Sequence, residues 1–146
     1  MTTTTSSDVV RRTNLDIARA VAERIANSGD LDALDELSDV PRLREGLQRT
    51  RTAFPDLHST IEWMIADGDM VSCWVSSTGT HLGPWRGLQP TGRPMEMRGS
   101  VSFRINESRI VDFWVCFNGL SVWEQLTDLT PGEALAACGM SPAEAG

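Results

Sequence analysis

The sequence predicts an α+β fold in which a curved antiparallel sheet wraps around N-terminal helices and encloses a pocket. Three observations carry this. Apolar residues recur at helical spacing as far as Phe54. After Asp56 the period drops to two. Two short turn sequences, Asp67-Gly68-Asp69 and Asn106-Glu107-Ser108, then join neighbouring strands. Helices first and a meander afterwards place the helices on one face of a single sheet.

The first helix runs from Asp8 to Ala26, with Ile17, Ala20, Val21 and Ile25 on one side and Asn27-Ser28-Gly29 as its stop. Asp30 caps a short second helix carrying Leu31, Leu34 and Leu37. Pro41 suits the first turn of a third, with Leu43 and Leu47 inward and Phe54-Pro55 ending it. Strands follow at 57–66, 70–81, 94–105 and 109–118. The connection LGPWRGLQPTGR, 82–93, is a structured loop rich in Gly and Pro. SVWEQL forms a short amphipathic helix, and one weak helix is expected near 131–138. The organisation is thus a disordered leader (1–8), one α+β domain (9–126) and a C-terminal tail (127–146).

A chain of 146 residues has enough length for one sizeable core. Its net charge of −7 opposes binding to nucleic acid or to an anionic membrane surface. No run approaches the roughly 18 apolar residues a membrane span needs, and the N-terminus lacks the pattern of a signal peptide. Cys73, Cys116 and Cys138 form no CxxC pair and fit reduced thiols in a cytoplasm. No His or carboxylate spacing points to a metal, and nucleotide loops and GxSxG are absent.

Strict alternation along 109–118 puts Ile110, Asp112, Trp114, Cys116 and Asn118 on one face and Val111, Phe113, Val115 and Phe117 on the other. The second face is wholly apolar and must be covered by a helix or a partner subunit. The first, with its aromatic, thiol, carboxylate and amide groups, has the character of a pocket wall. His81 ends the neighbouring strand. Trp63, Trp74, Trp85 and Trp114 offer rigid apolar walls, while Trp123 anchors the SVWEQL helix. Met97, Val101 and Phe103 complete the expected lining.

The stretches AFPDL (53–57), GTHLGPWRGLQPTGR (79–93), FRINESRIVDFW (103–114) and WEQL (123–126) together resemble the SnoaL-like polyketide cyclases, a family within the ketosteroid-isomerase-like, nuclear-transport-factor-like superfamily. The similarity covers roughly residues 10–126. It implies an α+β cone, a homodimer formed through the outer sheet face, no cofactor, and ring closure of a hydrophobic polyketide-type substrate, as in antibiotic biosynthesis. Relatives on this scaffold isomerise, hydrate, dehydrate or hydroxylate.

In the cyclases a strand-end aspartate acts as general acid/base beside a loop histidine. His81 matches that histidine. Asn118 stands where the aspartate is expected, and Val101 where many relatives place His or Asp. Between LDALDELSD and PRLREGL the chain also omits a stretch that usually forms a pocket lip, which implies a pocket more open on that side or lined differently.

Asparagine has no pKa with which to abstract a proton. Two catalytic readings follow. In one, the base has moved to Asp112, with Glu62, Glu96 and His81 as further candidates. In the other, which is favoured, an apolar pocket folds a flexible substrate and Asn118 or His81 polarises a carbonyl, suiting a cycloaddition-like closure. A non-catalytic small-molecule binder is the competing class.

Overall fold

The computed structural model describes residues 3–130 together with 132, 133 and 136. Helix α1 (Ser6–Arg19) begins inside the segment expected as leader, because Thr5 and Asp8 form a reciprocal capping box. It continues through a π-helical turn (Ala20–Ile25) into α2 (Ala26–Ser28). Gly29, at φ +71, ends α2 in the left-handed region. The Arg51 guanidinium there donates to the carbonyls of Ala26, Asn27 and Pro55 at 2.8, 2.9 and 3.1 Å, so a side chain satisfies the orphan acceptors of the helix end.

Helices α3 (Leu31–Leu37) and α4 (Pro41–Ala53) follow, capped by Asp30 and started by Pro41 as expected. Four strands then form one antiparallel sheet in chain order: β1 (His58–Asp67), β2 (Met70–Thr80), β3 (Pro94–Asn106) and β4 (Arg109–Phe117). Helix α5 (Gly119–Leu126) closes the domain. The weak helix expected near 131–138 lies outside the described residues apart from 132, 133 and 136.

Two cores hold helices to sheet. The larger gathers Ile17, Val21, Ile25, Leu34 and Leu43 against Val71, Cys73, Phe103, Ile105 and Ile110. The smaller gathers Phe54, Leu57, Met95, Val122 and Leu126, with Trp85 and Phe117 at its edge. Burial of the core drives the assembly, and each fully buried large side chain contributes about 1.5–3 kcal/mol. Burial also pushes the Cys73 thiol up to about 11. Cys116 is exposed, and Cys138 lies outside the described residues.

The outer strands β1 and β4 each carry a bulge. Along β1, Ile61 pairs with Val75 and Trp63 with Trp74, leaving Glu62 as the extra residue. Along β4, Ile110 pairs with Ile105 and Asp112 with Arg104, leaving Val111 unpaired. An inserted residue reverses which side chains face inward beyond it. The edge of β1 is also covered by helix side chains. Asn27 exchanges hydrogen bonds with both the N–H and the C=O of Ser59, and Glu23 accepts from the Ile61 N–H at 2.9 Å. These bonds satisfy main-chain groups that an edge strand otherwise leaves open.

Candidate functional site

A pocket of about 1040 Å³ lies between the helices and the concave face of the sheet. Val21 and Ala22 of the π-helical turn and Leu43 and Leu47 of α4 form one wall. The sheet supplies Val75, Met97, Val101, Phe103, Phe113 and Phe117. The surface is mostly apolar, with charged and polar side chains such as Glu45, Arg49 and Arg86 also on it, as expected for a site that holds a hydrophobic molecule.

Two of its polar residues are buried serines. Ser59 on β1 and Ser77 on β2 face each other across the register of the two strands. Their hydroxyls lie 2.8 Å apart, and both residues are buried although both line the pocket. One hydroxyl donates to the other, and the acceptor's own proton has no other partner among the described residues. The pair therefore offers one polarised O–H to whatever fills the pocket.

Sequence reasoning missed these serines. A signal was present: each is the polar member of an inward-facing apolar series, Leu57-Ser59-Ile61 at the start of β1 and Val71-Cys73-Val75-Ser77 along β2.

On β3 and the loop, Met97, Val101, Phe103 and Trp85 all line the pocket. On β4 the expected lining is corrected. The bulge at Val111 turns Phe113, Val115 and Phe117 toward the pocket, so the face expected to be covered is the pocket wall. Trp114, assigned to that wall from strict alternation, stands on the outer face and is 45% exposed. Trp63 and Trp74 lie on the same outer face, with their rings 6.1 Å apart and nearly parallel. Cys116 borders the pocket, but by register it shares the row of Ser100 and Trp74.

Asp112 is held in an ion pair with Arg42, whose guanidinium also donates to the Phe113 carbonyl and lies over the Phe113 ring. It is not a pocket carboxylate. Glu62, the bulge residue of β1, accepts from the Ser76 hydroxyl. Glu96 and Asn118 border a smaller polar cleft beside α5. Asn118 is exposed, and its side-chain oxygen caps α5 by accepting from the Ser121 N–H at 3.0 Å. The amide at the end of β4 thus starts a helix.

His81 is fully buried, one layer behind the pocket, with its ring 5.7 Å from that of Phe54. Nδ1 accepts from the Thr91 N–H at 3.1 Å and lies 3.0 Å from the Thr91 hydroxyl. An accepting Nδ1 places the proton of the neutral ring on Nε2, which has no partner among the described residues. Desolvation lowers the imidazole pKa, opposed in part by the Gly83 backbone.

His81 and Thr91 clasp the two ends of the 82–93 loop, whose main chain closes through His81 N–H to Arg93 and Gly92 N–H to His81. Gly83 packs so tightly that a Cβ would strike the Thr52 carbonyl. Asp56 accepts from the Thr80 N–H and hydroxyl, both at 2.7 Å, and these bonds hold its carboxyl below the usual range. Gln125 exchanges two hydrogen bonds with the main chain of Glu96. The motif residues of the loop and of WEQL therefore do architectural work around the pocket.

Ser38 and Asp39 meet β4 at its first residues, through Ile110 and the Arg109–Asp39 ion pair, and the far half of that strand is more open, with Val115 54% exposed. Among the described residues, no group of three or more His, Cys, Asp or Glu side chains could hold a metal ion. No helix there is long and apolar enough to cross a membrane.

A helix-filled cone of antiparallel sheet around an apolar pocket defines a class of small enzymes and ligand-binding proteins. The chain belongs to the SnoaL-like polyketide cyclase family, whose model matches residues 4–126. It is similar to IdmH, a candidate polyketide cyclase from Streptomyces antibioticus, at 28% identity and TM-score 0.65, over 77% of this chain and 97% of that one. AclR, a candidate hydroxylase from Streptomyces galilaeus, shares the fold at 21% identity and TM-score 0.71, over 88% and 91% of the two chains. A candidate SnoaL-like cyclase from Jannaschia sp. CCS1 shares it at 16% identity and TM-score 0.73, over 83% and 96%. No curated protein matches the chain.

Proposed function

We propose that the protein is a cofactor-independent cyclase that closes a ring in a polyketide-type intermediate by conformational control. The observation that carries this is the wall of the pocket. Among the described residues its one carboxylate is Glu45, exposed at the rim. Asp112 is committed to Arg42, and Asn118 caps α5. A pocket of this size and polarity restricts the conformers of a long apolar chain, which lowers the entropic part of a ring-closing barrier. The Ser59–Ser77 pair supplies a hydrogen bond to a carbonyl as charge develops on it. Neither step calls for a base.

The outer face bearing Trp63, Ile65, Trp74 and Trp114 fits a second copy of the chain. Trp63 and Ile65 are 49% and 63% exposed, and large apolar patches on a sheet face mark association surfaces. A two-fold homodimer buries the same patch on both copies. Antibiotic biosynthesis in a cytoplasm is the setting this reading implies.

The test compares, by mass, the compounds that accumulate in cells lacking the protein with the end product, then incubates the purified protein with the accumulated one. Conversion between isomers supports cyclisation. A mass difference of one oxygen atom points to hydroxylation, and of one water to hydration. Binding with no change in conversion rate overturns the enzyme reading in favour of a carrier.

A further inference from the structure

The arginines are unevenly engaged. Arg42, Arg44, Arg93, Arg98, Arg104 and Arg109 are ion-paired, and Arg51 binds carbonyls. Of those without an ion-pair or hydrogen-bond partner among the described residues, Arg49 and Arg86 line the pocket.

Arg86 is held there by construction. It opens the two-residue turn Arg86-Gly87, which is closed by reciprocal main-chain bonds between Trp85 and Leu88 of 3.0 and 2.8 Å. Its backbone sits at φ +46, a conformation that a residue with a Cβ adopts only under strain. The guanidinium lies 5.3 Å from the centroids of both Trp85 and Phe117. Two aromatic faces thus fix a cation at the mouth of an apolar pocket, with its donors unspent. Arg49 adds a second cation from α4. Glu45, exposed one turn earlier on α4, is the only acid lining the pocket among the described residues. In a chain of net charge −7, this is a local reversal of field at the entrance to the site.

We propose that the ligand of this pocket is an apolar molecule ending in an anionic oxo group, a carboxylate or a phosphate, and that Arg86 and Arg49 bind that end at the mouth. A planar guanidinium fixed on aromatic faces presents parallel N–H donors suited to either group. The apolar body then extends inward toward Ser59 and Ser77. This inference rests on the pocket being the substrate site, and it adds the polarity of the substrate and its direction of entry.

Calorimetric titration of the full-length protein at pH 8 with decanoate, decyl phosphate and methyl decanoate tests it, each below its micelle-forming concentration. At least one anion is expected to bind about tenfold more tightly than the neutral ester, the scale of one charge-assisted hydrogen bond open to solvent. The advantage should shrink at high salt. Arg86→Gln and Arg49→Gln should each reduce it and leave the ester unchanged. Preference for decanoate alone identifies a carboxylate, and for decyl phosphate alone a phosphate.

Equal affinity for all three probes overturns the inference while the pocket reading stands. So does a loss of ester and anion binding together in Arg86→Gln, which assigns Arg86 to packing. Failure of all three to bind overturns the pocket reading itself.

Discussion

The hydroxyls of Ser59 and Ser77 lie 2.8 Å apart on neighbouring strands, each less than a tenth exposed, on the wall of an apolar pocket. Because one hydroxyl spends its proton on the other, the two act as a single donor. The single variant, Ser59→Ala or Ser77→Ala, that removes the hydroxyl facing the substrate should lower kcat on the isolated intermediate by about 100-fold with little change in KM, the usual loss for one transition-state donor, and the other should cost less. The double variant should be no slower than the more impaired single one. Additive losses in single-turnover rates would show that the serines act independently.

His81 makes stability depend on pH with a defined sign. Burial lowers its folded-state pKa below the unfolded value, so between the two the unfolded chain binds more protons. Stability therefore rises with pH through this window and is fully present above the unfolded pKa, near 6.5. Acidification through that value should weaken the fold, since protonated Nδ1 cannot accept from the Thr91 N–H. Urea melts at intervals from pH 5 to 8 should show the loss, and His81→Gln should flatten it.

The β3–β4 turn carries removable strain. Glu107 and Ser108 have φ of +48 and +62, the two-residue geometry that favours glycine at its second position. Ser108→Gly should stabilise the protein by about 1 kcal/mol, visible as a rise of a few degrees in Tm. An unchanged or lower Tm would show that the Ser108 side chain contributes more than its backbone costs.

The outer-face tryptophans decide the oligomeric state expected above. Trp63→Glu combined with Trp114→Glu should convert a sedimenting dimer into a monomer, because two charges enter the centre of a patch that a two-fold axis repeats. A wild-type protein that already sediments as a monomer would remove the dimer from the proposal.

Most of the fold was legible in the chain. The change of period after Asp56, the turn at Gly68 and the Gly29 stop each arise from residues close in sequence. The β3 lining was legible for the same reason, since alternation from Met95 to Ile105 runs unbroken and delivers Met97, Val101 and Phe103 to the interior. Trp114 was not. Its orientation depends on Val111, the residue for which β3 provides no partner, and a bulge is a property of two strands rather than of one.

The same distinction separates His81 and Asn118 from the roles their positions imply. Their sequence neighbours bring them to strand ends, but Thr91 turns the histidine into a loop clasp, and Ser121 turns the amide into a helix cap. The sequence by itself determined the elements, their order and the family, because periodicity, turn residues and motif spacing are local. Only the tertiary structure decided which side chains share the pocket. One inserted residue in a strand inverts its faces, and hydrogen-bond partners distant in sequence claim the polar groups that spacing left free.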